Sequence, residues 1–173
     1  ASQKLKLGLR KPYIQHVTLK LVTLTPMELG YLAGLIDGEG TVSIRRLRSR
    51  RFLKPHFRIA NTSRVLMHWL MGKFPDKSAY VSPQQKPGRT LMYDFRVEGL
   101  SYLPLYRDLL PLLIIKNQQM ALVIEWCEMR LGQSKTDQVT ARQSAIISEI
   151  RAMNIKPYAR LRAERSAASG SIT

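Results

Sequence analysis

The sequence has 173 residues, with 28 lysines and arginines against 12 aspartates and glutamates, a formal charge of +16 and a pI near 10.5. Hydrophobic residues make up 45%, enough for one domain with a proper core. No run approaches the ~18 apolar residues of a membrane span, nothing at the start reads as a secretory signal, and the single cysteine, Cys127, excludes an intramolecular disulfide and fits a reducing, intracellular compartment.

Residues 1–24 are basic without a single acid, and alternations such as "KLKLGL" and "VTLKLV" hint at extended structure; they are expected to form an N-terminal extension. "TPMELGYLAGLID" then opens a helix. Thr25 is placed as N-cap, Pro26 as first helical residue and Glu28 where a capping box needs it. This helix is expected to run from Pro26 to Asp37, with Gly38 and Gly40 stopping it through conformations other residues resist. "TVSIRRLRSRRF" alternates with β-branched residues at first, and "KPHFRIAN" is a second strand with Phe57 and Ile59 on one face and His56 and Arg58 on the other.

"TSRVLMHWLMGKF" reads as a helix capped by Thr62 or Ser63, with Val65, Leu66, Trp69 and Leu70 inward. "SAYVSP" and "TLMYDFRV" form another strand pair around the turn-rich "PQQKPGR". A helix over 100–110, then "NQQMALVIEWCEMRL" and "ARQSAIISEIRAMN", complete the elements, and Cys127 falls in an apolar run that makes it a buried thiol. The class is α+β, in the order α-β-β-α-β-β-α followed by C-terminal helices. Residues 156–173 are a basic tail, turning small and polar and partly disordered.

Charge selects partners, not folds. No acid occurs between Glu39 and Asp76, an interval holding Arg45, Arg46, Arg48, Arg50, Arg51, Lys54, Arg58, Arg64 and Lys73. A face built only for solubility would mix signs, so nucleic acid is the expected partner. An anionic membrane is not, because the basic residues do not line one face of an amphipathic helix. His16, His56 and His68 lack zinc-ligand spacing with the one cysteine. Of the three acids in the first 75 residues, Glu28, Asp37 and Glu39, the last two sit at the end of the first helix, alternating with Gly38 and Gly40.

"LAGLIDGEG", residues 32–40, resembles the signature of the LAGLIDADG homing endonucleases, differing only near its end. It lies where that family has it, at a helix end before a strand pair. The resemblance spans 25–155 and implies an endonuclease domain whose saddle-shaped antiparallel sheet sits on double-stranded DNA, with two signature helices packed at its centre. One copy of the signature implies a homodimer reading a near-palindromic site. Gly30, Ala33 and Gly34 put small residues on one helical stretch, which suits a tightly packed core helix or a helix–helix interface; the resemblance tips this to the interface.

The activity implied is site-specific cleavage of both DNA strands by an intron-encoded nuclease using Mg²⁺, with Mn²⁺ able to substitute and Ca²⁺ binding without efficient cleavage. Carboxylates beside DNA make sense as ligands of a hard cation that activates water and stabilises a leaving oxygen. By resemblance Glu39 ligates the metal, the Gly38 carbonyl assists, and Asp37 hydrogen-bonds around the motif turn. Lys116 matches the basic residue near the scissile phosphate. Asn61 matches the polar residue that holds the water network, with a helix cap beside Thr62 as its alternative role.

The strands are expected to read the DNA. Thr41, Ser43 and Arg45 share the outward phase of the first strand, with Lys54, His56 and Arg58 on the second. Asp94 and Arg96 point outward from the fourth, and Ser82, Gln84, Lys86 and Arg89 flank the turn before it. Arg46, Arg48, Arg50 and Arg51 are assigned to phosphates. The rival reading is a protein of the same fold that does not cut: an RNA maturase acting on intron RNA, or a DNA-binding regulator. Retention of an acid at Glu39 favours the enzyme.

Overall fold

The computed structural model describes residues 18–46, 53–74, 79–84, 88, 90–131, 133 and 138–155. Its elements are α1 (Pro26–Glu39), β1 (Gly40–Arg46), β2 (Leu53–Asn61), α2 (Arg64–Lys73), β3 (Ala79–Gln84), β4 (Met92–Glu98), α3 (Leu103–Leu109), α4 (Asn117–Arg130) and α5 (Ala141–Met153). Short 3₁₀ turns at Leu100–Tyr102 and Leu110–Leu112 flank α3. The order is the one the sequence predicts.

The capping box of α1 forms as expected: Glu28 N donates to Thr25 Oγ1 at 3.3 Å and Thr25 N to Glu28 Oε2 at 2.9 Å. The helix does not stop at Asp37. It runs through Gly38 to Glu39, and neither Gly38 nor Gly40 takes a positive φ. The need for glycine at 40 is steric instead. A Cβ there would lie 2.6 Å from both the Cα and the carbonyl oxygen of Ile36, so only glycine lets β1 leave the helix at once.

The two hairpins lie side by side in one antiparallel sheet, ordered β1-β2-β4-β3. Alternation along the strands sends Val42, Ile44, Phe57, Ile59, Phe95 and Val97 into the core. There they meet Leu32 and Ile36 of α1, Tyr106 and Leu109 of α3, and Met120 and Val123 of α4. Rings of Phe57, Phe74, Phe95, Tyr102 and Tyr106 stack edge-on or tilted at 5.5–6.4 Å. Burying each such side chain contributes about 1.5–3 kcal/mol. Cys127 is buried in this core, as expected.

Proline in an inner strand would cost a ladder hydrogen bond. Pro55 escapes this because β4 pairs no further than His56; beyond it, Gly99 N donates to Pro55 O at 2.9 Å. β1 is an edge strand packed against α4 and α5, and Asn154 Nδ2 donates to Val42 O at 2.9 Å. In α2, Ser63 is the cap, and Met67 and Leu70 are the buried positions. Val65, expected inward, is 80% exposed, because the helix turns Met67 to the sheet in its place. Of the N-terminal extension, residues 18–24 strap onto the domain: Lys20 N donates to Ser101 O at 2.8 Å, and Val22 and Leu24 pack on the core.

Candidate active site and nucleic-acid interface

Three element ends converge beside Glu39. The Glu39 carboxylate, exposed at the last residue of α1, accepts a hydrogen bond from Asn61 Nδ2 at the end of β2. The Asn61 side-chain oxygen in turn accepts from Ser63 N at 2.7 Å, fixing the amide's orientation. One end of the Asn61 amide thus serves the turn into α2, whose cap is Ser63 and not Asn61, and the other end serves the carboxylate.

The third end is the N-terminus of α4. Asp37 reaches it across the chain, its Oδ2 accepting from Ile114 N at 2.7 Å and its Oδ1 from Lys116 N at 2.9 Å. The Lys116 ammonium donates to the Asp37 carbonyl oxygen. Asp37 thus bonds a distant segment, not its own motif turn. Burial pushes the Asp37 carboxyl up, but the N–H groups of Ile114, Lys116 and Ile115 outweigh it and hold the carboxyl below its ordinary value. Burial holds the Lys116 ammonium below its ordinary value, opposed by the charge of Asp37.

The outer face of the sheet carries one connected lattice of charge. The register sets Ser43, His56 and Glu98 on one rung and Thr41, Arg58, Arg96 and Tyr80 on the next. Glu98 takes Arg45 at 2.9 Å and Lys54 at 3.0 Å. Asp94 takes Arg96 at 2.8 Å and Arg58 at 3.4 Å. The Tyr80 hydroxyl accepts from Arg96 at 3.2 Å and Arg45 at 3.4 Å, joining the two groups.

No protein-family model matches the chain, and no curated protein does. Solved structures do. The homing endonuclease I-CvuI in complex with its target in the presence of Ca superposes with a TM-score of 0.60 at 18% identity, over 75% of this chain and 83% of that one. The archaeal intron-encoded homing endonuclease I-Vdi141I complexed with DNA gives 0.54 at 19% identity, over 76% and 87%. The LAGLIDADG meganuclease I-AabMI bound to uncleaved DNA gives 0.51 at 17% identity, over 72% and 43%. The chain has the LAGLIDADG homing endonuclease fold.

Within this homing endonuclease fold, the residues expected to touch DNA separate into distinct environments. Thr41, Ser43 and Ser82 are half-exposed and Arg46 is exposed, while Arg45, Lys54 and Arg58 are partly exposed within the lattice. Gln84 pairs with Met92 near the far end of β3. Two expectations need correcting. His56 is 5% exposed, roofed by its neighbours on the rungs, and burial together with Arg96 and Arg45 lowers its pKa to about 4, so it is neutral and covered. Asp94 is 4% exposed and lies beneath its arginines, not above them. Arg48, Arg50, Arg51, Lys86 and Arg89 lie outside the described residues.

Glu98 and Tyr80 escaped the sequence reading. Glu98 continues the two-residue alternation of Asp94 and Arg96, so its phase was visible; its partners were not. Ala33 also needs correcting: at 1% exposure it belongs to the domain's own core. The open face of α1 is Met27, Gly30, Tyr31, Gly34 and Gly38, at helical spacing, and a Cβ built on any of the three glycines meets no atom within 4 Å.

No group of three histidine, cysteine or acidic side chains capable of holding a metal occurs among the described residues. The donors at hand are the Glu39 carboxylate and the Gly38 carbonyl, which lies in the last turn, where helix carbonyls lack partners within the helix. Such a set does not fit zinc. It fits Mg²⁺, which keeps several waters and takes one or two carboxylates beside phosphate oxygens. No helix among the described residues is long and apolar enough to cross a membrane.

Proposed function

We propose that the protein is a homodimeric, divalent-metal-dependent endonuclease that cuts both strands of a specific, near-palindromic DNA site. One observation carries the reading. A carboxylate, Glu39, is held by Asn61 at the end of α1, sharing its junction with the Lys116 ammonium and standing next to a strongly basic sheet. A pure binder has no use for an exposed acid there, since it repels phosphate. This argues against a maturase or regulator that does not cut. Structures with the same fold were solved with DNA, which supports the same partner here.

The chain's residues divide the work. The basic sheet attracts the phosphate backbone and releases counterions. Glu39 and the Gly38 carbonyl would hold Mg²⁺, which when bound supplies an acidified water and stabilises charge on the leaving oxygen. Asn61 fixes the carboxylate's orientation, and Asp37 fixes Lys116, whose ammonium neutralises charge gathering on the scissile phosphate. Cutting two antiparallel strands takes two such sites related by a two-fold axis. The glycine face of α1 supplies the axis, and Ile114 and Ile115, 89% and 68% exposed beside Lys116, extend its apolar surface.

The test is single-turnover cleavage of a duplex library in Mg²⁺, with affinity measured in parallel in Ca²⁺. Glu39→Gln keeps the size and removes the charge that holds the cation. Cleavage is expected to vanish while affinity stays equal or rises. A Glu39→Gln protein that cuts at the parent's rate would refute the reading.

A further inference from the structure

Lysines and arginines facing DNA are usually counted as phosphate ligands. Here four of them are already engaged. Glu98 and Asp94, 7% and 4% exposed, each clamp two cations, and every one of the four comes from the three strands β1, β2 and β4. The side chains of Arg45, Lys54, Arg58 and Arg96 remain 31%, 40%, 37% and 14% exposed, so three of them present an edge outward while being gripped from below. Burial raises the Glu98 carboxyl, but Lys54 and Arg45 overcome this and hold it charged.

A lattice of this kind is a poor device for stability alone, because well-packed apolar residues often serve a buried site as well or better. Its polar groups are also incompletely matched: Asp94 Oδ1 meets Arg58 only as an ion pair at 3.4 Å, and Arg96 Nε and His56 Nδ1 are likewise buried without hydrogen-bond partners. Nor does it maximise attraction for DNA, since two anions cancel half of four cations. What it does achieve is geometric. An arginine held by a carboxylate has its guanidinium plane fixed, and bidentate recognition of a base edge needs a fixed plane.

We infer that Asp94 and Glu98 are positioning residues for sequence recognition, organising the cations of the sheet into two blocks, Arg45 with Lys54 and Arg58 with Arg96, linked through the Tyr80 hydroxyl. This rests on the reading of the sheet as the DNA-binding face. Because members of a block share one carboxylate, their base preferences are coupled. Releasing a block frees its cations for phosphate, trading selectivity for general affinity.

The experiment is selection of bound duplexes from a randomised library in Ca²⁺, for the parent, Asp94→Asn, Glu98→Gln and Tyr80→Phe, each checked by thermal unfolding. One selected and one unrelated duplex are then titrated with salt. Discrimination between them is expected to fall at least about 10-fold in Asp94→Asn and Glu98→Gln, the scale of one lost base contact. Affinity for the unrelated duplex should hold or rise, and the log–log salt slope steepen by about 0.9 per phosphate gained. Glu98→Gln should lose preference at the positions that Arg45→Ala and Lys54→Met lose, and Asp94→Asn at those that Arg58→Ala loses. Tyr80→Phe, which keeps the ring, should weaken both blocks and serves if a carboxylate variant fails to fold. Variants that keep the parent's selected sequence, or that lose specific and unspecific binding in proportion at an unchanged slope, would overturn the inference. A parent that selects no sequence overturns the endonuclease reading itself, and the inference with it.

Discussion

Asp37→Asn is the sharpest probe of how the site is held. The carboxylate accepts N–H groups 77 and 79 residues away, from Ile114 at 2.7 Å and Lys116 at 2.9 Å. Hydrogen bonds to a charged acceptor are worth about 1.5–3 kcal/mol each, and these lie toward the lower end because the pair is partly open to water. Asparagine keeps one acceptor oxygen and turns an NH₂ group against the other N–H. The net loss is about 2 kcal/mol, which for a chain of this size lowers Tm by about 4–8 °C. The folded carboxyl has its pKa depressed below 3.8, so its stabilisation is complete above that value and disappears as pH falls through the folded pKa. Thermal unfolding of parent and variant, followed from neutral pH down through the acid range, should therefore show a gap that narrows only below pH 3.8. Single-turnover cleavage should slow as well, because Lys116 loses its anchor. A variant melting with the parent at neutral pH, or a gap indifferent to pH, would refute the reasoning.

Gly40→Ala forces a Cβ to within 2.6 Å of the Ile36 backbone, so the helix end must move; a loss of about 1–3 kcal/mol in chemical denaturation is expected, with cleavage falling further than binding. Gly34→Leu has open space around it within the protomer, so circular dichroism should report a folded domain while light scattering reports a monomer. Lys116→Met should slow cleavage by about 10²-fold, measured at saturating DNA, with little change in affinity. Burial pushes the Cys127 thiol far above its ordinary pKa, so a thiol reagent near pH 8 should label it only after denaturation.

The order of elements, the capping box at Thr25 and the inward phase of the strands were all legible from local pattern, because each depends on residues within a turn or a strand repeat. What stayed hidden depends on partners far apart in the chain. Nothing near Asp37 announces that it will reach Ile114, and nothing near Asp94 announces that Arg58 of β2 will join its neighbour Arg96 in covering it. His56 carried the right phase for an outward residue, but phase does not give depth; its burial comes from rungs contributed by β1 and β4. Ala33 failed for the opposite reason. Smallness suggested a contact surface, while its angular position, one step round from Gly30 and Gly34, sent it into the core.

The hydrogen bond from Asn154 to Val42 has a consequence for how copies of this chain can meet. An open strand edge invites another chain to add a strand, the usual beginning of aggregation. On β1, Asn154 occupies one of the backbone acceptors such an intruder would need, and α4 and α5 both pack against the strand. On the opposite border, β3 contains Pro83, which has no N–H to offer. With both borders blunted, strand addition is disfavoured, and orderly association falls to helix surfaces. A chain carrying Asn154→Ala and Pro83→Thr would be expected to lose that choice first, precipitating on concentration long before it lost its fold.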